Sequence, residues 1–265
     1  MASSEKPLLI FVPGSFHTPA NYTPLTTPLR SLGYEILTPT PLVSASISDP
    51  NPDLDLTFLD DAAAIRSEIA PLFDAGRTAV VISHSYGSIP ATHTTVGLTV
   101  QERRARGENG GIMGVINIAG FAFPTPEKGI MGDDALVPPP EYHCVENGIA
   151  TVLPSAIPLF FGGLESSTQE AQWSLLNHKQ TRRSFTEFPR VVESQIRCRK
   201  VYVLCEEDMA VAPAWQEGMA RTGGYEVVRV KSGHAPFVQC TDKVIEIIEG
   251  VVQGGSEDFK ALSLG

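Results

Sequence analysis

The stretch Val80-Val81-Ile82-Ser83-His84-Ser85-Tyr86-Gly87-Ser88 determines how this chain is interpreted, because an apolar β-branched run ends there in small residues around one serine. Such a run predicts a buried strand, a sharp turn and the start of a helix. Residues 83–87 match a variant of the G-x-S-x-G nucleophile elbow, with serine in place of the first glycine. The positions two before and two after Ser85 must be small, because strand and helix crowd each other at such a turn. Taken alone, the motif is also compatible with a serine- and glycine-rich turn after any buried strand.

The rest of the chain alternates apolar runs of strand length with patterns of helical spacing. Apolar positions 58, 65, 69 and 72 predict one face of a helix that begins after Thr57 and ends near Gly76. This alternation is typical of the α/β class, with a mostly parallel central sheet covered by helices on both faces. Ligands bind such sheets at the carboxyl ends of the strands. The sequence predicts strands at 7–12, 34–39, 78–82, 112–119, 200–205 and 225–230.

The 265 residues are enough for a single α/β domain spanning 1–265. We expect its core to comprise about 7–124 and 196–252. Prolines interrupt the segment 125–195 repeatedly, with helical stretches between them, so this segment predicts a helical lid inserted over the end of the sheet. The tail after Gly254 is predicted to fray.

The composition argues against several classes of partner. A net charge of −10 disfavours nucleic acid and anionic membranes. Arg103, Arg104 and Arg106 alternate with polar and acidic residues, which favours a solvated loop over a binding patch. No apolar run approaches the ~20 residues of a membrane span. We therefore expect a small-molecule substrate, with no nucleic-acid or membrane partner; a homo-oligomer remains compatible with the sequence.

The cysteines and histidines predict neither a disulfide framework nor a metal site. Four scattered cysteines show no C-x-x-C spacing, and no histidine–cysteine grouping has metal-ligand spacing. The first seven residues lack a signal-peptide pattern. These observations predict reduced thiols and a cytoplasmic protein that uses no cofactor or metal.

A serine hydroxyl becomes a good nucleophile only when a base takes its proton, and that base is usually a histidine oriented by a carboxylate. His234 follows the last predicted strand, and Glu206-Glu207-Asp208 follows the strand before it. The order serine, acid, histidine and the common sheet edge predict a triad of Ser85, Asp208 and His234. Asp208 is favoured as the acid, and Glu207 is the alternative.

The transition state of acyl transfer needs two donors for its oxyanion. The backbone N–H of Tyr86, the residue after the nucleophile, is predicted to be one of them. The loop after the first strand should supply the other, with Ser15 N–H as the candidate and Phe16 N–H as the alternative. Gly14 would let that loop approach closely.

The chain resembles the α/β-hydrolase superfamily, and within it the compact esterase and hydroxynitrile-lyase-like branch, of the microbial AB hydrolase-1 type. The resemblance spans about residues 7–252. It implies an α/β-hydrolase fold, a catalytic triad, an oxyanion hole and a cofactor-free serine esterase or lactonase. The sequence departs from the pattern at Pro13, where the family usually has histidine, and at Ser83 and Ser88, where glycine is common. The matching segments are 13–17, 83–87, 207–208 and 233–234, together with 159–161 and 171–173 in the predicted lid.

Six residues are predicted to line the substrate pocket. Alternatives remain for several of them, since His17 could instead be a loop histidine bonded to backbone, and lid aromatics could only hold the lid down. His84 is more often a packing residue beneath an elbow than a catalytic one. The six are Gly14, Phe16, His17, Phe160, Phe161 and Trp173.

The sequence therefore predicts a serine hydrolase that cleaves an ester or lactone of a small apolar molecule through an acyl-enzyme on Ser85. One alternative is C–C bond cleavage or cyclisation in the same site. Another is a non-enzymatic small-molecule receptor, since fold alone does not decide function. Hydroxynitrile lyases of the resembling branch carry a lysine after the catalytic histidine. Ala235 occupies that position here, so cyanohydrin cleavage is not expected.

Overall fold

Nine strands and ten helices form in the part of the chain that the computed structural model describes, residues 5–135 and 139–254. The predicted frayed tail and Pro138 lie outside the described residues. The strands are β1 (Leu8–Val12), β2 (Ile36–Leu37), β3 (Thr78–His84), β4 (Gly111–Ile118), β5 (His143–Glu146), β6 (Ile149–Val152), β7 (Lys179–Thr181), β8 (Arg199–Cys205) and β9 (Glu226–Val230).

The helices surround the sheet and connect its strands. They are α1 (Thr23–Ser31), α2 (Leu42–Ala45), α3 (Phe58–Asp74), α4 (Ser88–Thr95), α5 (Val100–Ala105), α6 (Ile157–Phe161), α7 (Ser166–Ser174), α8 (Pro213–Gly223), α9 (Pro236–Gln239) and α10 (Thr241–Val252). The sequence signals for α3 are confirmed, because Thr57 caps the helix by accepting from Leu59 N–H. Gly76 follows the helix with a φ of +93°, a conformation that glycine adopts without strain.

Six strands form the central parallel sheet in the order β2-β1-β3-β4-β8-β9. The predicted mostly parallel sheet is thus confirmed. Strand β3 lies between β1 and β4, with Val12 paired to Ser83. The loops that follow β1 and β3 therefore start side by side at the carboxyl edge, and the loops after β8 and β9 leave the same edge.

Side chains of the buried strands alternate between the two faces of the sheet, as the strand period requires. Leu9 and Phe11 of β1 belong to one apolar cluster, and Leu8, Ile10 and Val12 belong to another. Residues from α1 and α10 complete the first cluster, whereas residues from α3 and α4 complete the second. Helices therefore cover both faces of the sheet, as the sequence predicts.

The segment 125–195 departs from the prediction of a purely helical insertion. It contains the short helices α6 and α7, but also a three-stranded antiparallel sheet in the order β5-β6-β7. These strands are only three or four residues long, and no clear alternation in the sequence marks them. Their pairing depends on tertiary contacts, which explains why the sequence pattern missed them.

The prediction of a solvated loop is wrong for Arg103 and Arg104, which lie in a helix, whereas Arg106 follows that helix and is exposed. Residues Val100–Ala105 form α5, and Thr99 accepts from Glu102 N–H at its start. Arg103 is buried and pairs with Asp74 at 2.7 Å. The capping-box spacing of Thr99 and Glu102 was the sequence signal for this helix.

No helix among the described residues is long and apolar enough to cross a membrane. All four cysteines lie in the described part of the chain and are free thiols; Cys205 is buried, and the others are partly buried.

Candidate active site

The turn after β3 presents Ser85 in a strained backbone conformation. Its φ is +52°, a left-handed value that a serine adopts only where the surrounding structure enforces it. The environment of Gly87 explains why the residue two positions after Ser85 must be small. A Cβ atom at position 87 would lie 2.4 Å from both the Val12 and Pro13 carbonyl oxygens. The loop after β1 thus passes directly against the elbow.

Ser88, where the resembling family often has glycine, has a defined contact here. Its hydroxyl accepts a hydrogen bond from Phe121 N–H at 2.8 Å. This bond ties the first turn of α4 to the segment that leaves β4. Serine at position 88 therefore makes a hydrogen bond that the glycine common in the family could not make.

His234 and Asp208 form a buried pair beside the elbow. His234 Nδ1 donates to Asp208 Oδ2 at 2.7 Å, and both side chains are shielded from solvent. Glu206 and Glu207 are exposed, so the structure brings Asp208 rather than Glu207 against the histidine. The bond directs Nε2 of the neutral ring away from Asp208 and leaves it able to accept a proton.

Neighbouring donors hold the Asp208 carboxylate in place. Its Oδ1 accepts from Ala210 N–H at 2.8 Å and Val211 N–H at 2.9 Å, and its Oδ2 also accepts from Gln216 Nε2 at 3.0 Å. Gln216 is anchored in turn, because its Oε1 accepts from Cys205 N–H. These bonds satisfy a buried anion and fix its orientation toward His234.

The loop after β1 leaves one backbone N–H without a partner. Gly14 N–H donates to the Tyr22 hydroxyl at 2.8 Å, Phe16 N–H to Gln180 Oε1 at 3.1 Å, and His17 N–H to Gly14 O at 3.1 Å. Ser15 N–H has no acceptor among the described residues. Because Phe16 N–H is engaged, the geometry favours Ser15 over the Phe16 alternative.

The backbone N–H of Tyr86 also lacks an acceptor in the described part of the chain, as expected for the start of a helical turn. Tyr86 and Ser15 both line the cavity that contains Ser85. Two unengaged N–H groups thus border the same cavity as Ser85, which is the arrangement that an oxyanion would require.

His84 connects the elbow to the loops on either side of it. Its Nδ1 accepts from the Tyr22 hydroxyl at 2.9 Å, and its Nε2 donates to the His234 backbone carbonyl at 2.9 Å. The Tyr22 hydroxyl in turn accepts from Gly14 N–H. Burial lowers the pKa of His84 well below its ordinary value, so the ring stays neutral in this network.

The cavity over Ser85 has a volume of about 630 Å³ and a mainly apolar wall. Ser85 and His234 both border it, although no hydrogen bond joins their side chains in the described structure. Such contacts often close only when substrate is bound. The strand-end loops contribute Phe121, Phe123, Met209 and Val211, α8 contributes Trp215 and Met219, and the insertion contributes Tyr142, His143, Phe160, Arg182 and Phe185.

Of the six residues predicted to line the pocket, only Phe160 borders this cavity. Phe161 is fully buried in the main core, and Trp173 packs its ring on His178 with ring centroids 4.7 Å apart. Phe16 lies one layer behind the wall, because its ring packs on His143 and Phe185. These aromatic side chains hold the insertion against the core. For Phe161 and Trp173, this was the alternative to lining the pocket.

Gly14 and His17 support the loop from beneath instead of bordering the cavity. A Cβ atom at Gly14 would lie 2.8 Å from His84 Nδ1, so glycine is needed for the close approach. His17 Nδ1 donates to Ser15 O at 2.8 Å. Burial lowers the pKa of His17 to about 4, which keeps this ring neutral. Of the two roles considered for His17, the structure places it as a loop histidine bonded to backbone, not as a residue that lines the cavity.

The polar residues of the cavity wall that escaped the sequence reasoning include Tyr142, His143 and Arg182. They lie within or beside the short sheet of the insertion. No local motif marks them, since their approach to Ser85 depends on how the insertion folds back. Within residues 5–135 and 139–254, no group of three or more His, Cys, Asp or Glu side chains is placed to hold a metal ion.

Comparison with known proteins identifies relatives over nearly the whole chain. A family model described as the alpha/beta hydrolase family matches residues 9–247. The alpha/beta hydrolase nvfD of Aspergillus novofumigatus is 28% identical over 248 residues, covering 92% of this chain and 95% of the relative.

Solved structures support the same fold. A pyrethroid hydrolase from Sphingobium faniae JZ-2 superimposes with a TM-score of 0.69 at 14% identity, covering 95% of this chain and 99% of the other. A methylesterase from Arabidopsis gives a TM-score of 0.66 at 16% identity, covering 92% and 99%. At such identities the likeness concerns the fold alone.

Proposed function

Since the chain belongs to the alpha/beta hydrolase family, we propose that it is a serine hydrolase that cleaves an ester or lactone of a small apolar molecule. The main support is the buried hydrogen bond between His234 and Asp208 beside Ser85, whose strained turn opens into a mainly apolar cavity. The pyrethroid hydrolase and methylesterase among the structural neighbours, by their names, suit the same chemistry.

In the first half of the reaction, Ser85 Oγ attacks the carbonyl carbon of the substrate while His234 Nε2 takes the hydroxyl proton. Asp208 stabilises the imidazolium that forms, because its carboxylate lies 2.7 Å from Nδ1. The oxyanion of the tetrahedral intermediate accepts from Ser15 N–H and Tyr86 N–H. His234 then gives its proton to the leaving alkoxide, and the C–O bond breaks to leave an acyl group on Ser85.

In the second half, a water molecule takes the place of the departed alcohol. His234 Nε2 accepts a proton from that water as its oxygen attacks the acyl carbon, and the same two N–H groups hold the oxyanion. Collapse of this intermediate returns the proton to Ser85 Oγ and releases the acid. For a lactone, alcohol and acid leave as one hydroxy acid.

The cavity supports a small apolar substrate. Its wall is mainly apolar, and the aromatic side chains of Phe121, Phe123 and Phe185 contribute to it. A volume of about 630 Å³ lies within the range of small-molecule sites. Burial of apolar carbon in such a site supplies binding free energy of about 25 cal/mol per Å².

A fluorophosphonate probe tests the nucleophile, and a panel of p-nitrophenyl esters and lactones tests the reaction. We expect the probe to label wild-type protein at Ser85 and to spare the Ser85→Ala variant. Removing the nucleophile should reduce ester turnover about 10³-fold or more while leaving the fold intact. Circular dichroism of the variant checks that the fold is retained.

The two alternatives give different results in the same assays. Labelling without turnover of any ester or lactone would favour C–C cleavage or cyclisation, in which His234 moves a proton. Binding of small molecules without labelling or turnover would favour a receptor. Mandelonitrile and acetone cyanohydrin belong in the panel, where we expect no cyanide release because Ala235 offers no cation.

A further inference from the structure

The Tyr142 hydroxyl, the His143 ring and the Arg182 guanidinium are polar groups of the cavity wall that have no hydrogen-bond partner among the described residues. All three border the cavity of Ser85. Both ring nitrogens of His143 are also shut off from solvent. Buried polar groups normally find partners, and one left without a partner is costly, so the His143 ring indicates a partner that is missing. Tyr142 and Arg182 are only partly buried, and their polar groups are free to bind a ligand beside that ring.

Arg182 differs from the other charged residues on this wall. Glu187 pairs with Arg190 at 2.9 Å and with Arg183 at 3.4 Å. The exposed Asp133 accepts from Ala135 N–H. Arg182 makes no ion pair with any described residue, although the whole chain carries a net charge of −10. An unpaired cation in a mainly apolar cavity creates a position that favours one negative charge.

Arg182 and His143 act on the same part of the cavity. Arg182 N–H donates to Gly148 O, which fixes the backbone of Arg182 at the end of β7. Burial lowers the pKa of His143, and the nearby charge of Arg182 lowers it further, to about 4. The His143 ring is therefore neutral. The neutral ring and the Tyr142 hydroxyl each offer one donor beside a cation that offers several.

We propose that Arg182, His143 and Tyr142 form a carboxylate-binding subsite, so that the substrate is an ester or lactone bearing a free carboxylate away from the scissile bond. The subsite matches one carboxylate: a guanidinium binds two carboxylate oxygens in a fork, and neutral donors complete the shell. A single unpaired cation on a strongly negative chain does not suit a polyanion. This inference rests on the proposed ester cleavage at Ser85.

The test compares esters that differ only in the distal charge. The p-nitrophenyl hemiesters of glutaric, adipic and suberic acids are assayed beside the p-nitrophenyl esters of pentanoic, hexanoic and octanoic acids. We expect kcat/KM to favour the hemiester at least about tenfold for at least one chain length. Arg182→Gln should abolish that preference, so that this variant turns over the hemiester and the neutral ester of each chain length with similar kcat/KM.

Two further variants separate the subsite from nonspecific effects. Arg183→Gln is the matched control, because Arg183 is the neighbouring arginine, is exposed and does not border the cavity. We expect it to keep the full preference for the hemiester. Arg182→Lys retains the charge without the planar fork and should restore only part of the preference.

A binding measurement makes the test independent of turnover. Calorimetry follows each of the three hemiesters binding to Ser85→Ala and to the double variant Ser85→Ala/Arg182→Gln. We expect at least about a tenfold weaker affinity in the double variant. Equal affinities would overturn the carboxylate subsite, whether or not the protein is an esterase.

The kinetic outcomes distinguish the two proposals. Hydrolysis of neutral esters with no hemiester preference at any length would overturn the subsite and leave the serine hydrolase intact. Loss of fluorophosphonate labelling and of all ester turnover would instead overturn the hydrolase, and the calorimetry would then decide the subsite alone.

Discussion

His84 Nε2 donates a hydrogen bond to the backbone carbonyl oxygen of His234 at 2.9 Å, so the residue before Ser85 holds the loop that carries His234. On its other side, the same ring accepts from Tyr22, whose hydroxyl receives the Gly14 N–H. His234, Ser85 and the loop of Ser15 are therefore joined through one buried imidazole. We expect His84 to act as a positioning residue, beyond simple packing.

Replacing this ring should impair the reaction more than it impairs binding. In His84→Ala, we expect kcat for p-nitrophenyl esters to fall at least about tenfold with KM changing less, because misplacement of His234 and Ser15 costs transition-state stabilisation. His84→Gln, which retains a side-chain donor, should recover part of kcat.

The matched control for this experiment is His93→Gln, since His93 is also buried but does not border the cavity, and its ring accepts from Arg190 N–H. We expect the control to lose stability without a comparable loss of kcat. Equal effects of the His84 and His93 variants on kcat would contradict a positioning role.

Asp208 should matter far more to the rate than the two glutamates before it. In Asp208→Asn, an amide replaces the carboxylate that accepts the hydrogen bond from His234 Nδ1–H. The neutral amide carries no negative charge and cannot stabilise an imidazolium. We expect kcat/KM to fall by about 10³-fold or more, while Glu206→Gln and Glu207→Gln stay within about threefold. Steady-state kinetics of the three single variants decide the matter. A dominant effect of Glu207→Gln would move the acid by one residue.

Gly87 should be irreplaceable for steric reasons. A Cβ atom there would lie 2.4 Å from two backbone carbonyl oxygens, which cannot swing aside as a flexible side chain can. We expect Gly87→Ala to reduce the free energy of unfolding by about 1–3 kcal/mol. Urea unfolding gives the comparison with Gly218→Ala on α8, where no atom lies within 4 Å of the added Cβ. That control should gain about 0.5–1 kcal/mol, and similar losses in both variants would rule out the clash.

Asp61 should make the stability of the protein depend on pH. Burial raises the pKa of its carboxyl to about 7, although Leu42 N–H and Val43 N–H donate to it. The native state therefore binds this proton more tightly than the unfolded state. The stabilising contribution of this carboxyl is complete below its unfolded pKa of about 4, and it is lost as the pH rises toward 7. About three pH units correspond to on the order of 4 kcal/mol.

The variant Asp61→Asn removes this titration and can still accept from Leu42 N–H. We expect it to be more stable than wild type at pH 8, with the difference shrinking steadily toward pH 5. Urea unfolding at several pH values measures the trend. Glu68→Gln, which removes an exposed carboxyl on the same helix, should show no such trend. A difference between Asp61→Asn and wild type that is constant with pH would contradict the raised pKa.

Local sequence patterns were sufficient to predict the central sheet and the order of the site residues. Buried parallel strands are continuous apolar runs, and their carboxyl ends meet at one edge. The elbow around Ser85 and the loops carrying Asp208 and His234 could thus be assigned to that edge from spacing alone. Gly76 and Thr57 were found in the same way, because caps follow from residues a few positions apart.

The insertion could not be predicted to the same depth. Its short strands β5 to β7 pair only because the core holds them, so the sequence suggested helices there. Phe161 and Trp173 were expected at the pocket, but their apolar rings serve equally well in a core, and hydrophobicity alone does not distinguish the two. The buried Arg103 illustrates the same difficulty for charged residues, since its burial is stabilised by an ion pair with Asp74, 29 positions away in the sequence.

The sequence by itself determined the α/β architecture and the order of the proposed nucleophile, acid and base, because strand runs and turn chemistry are local and their order along the chain is fixed. Only the tertiary structure decided which side chains surround them. His84 meets His234 across 150 positions, and Arg182 reaches the cavity only when the insertion folds over the strand ends. Such contacts depend on how distant segments pack in space, and no local spacing encodes them.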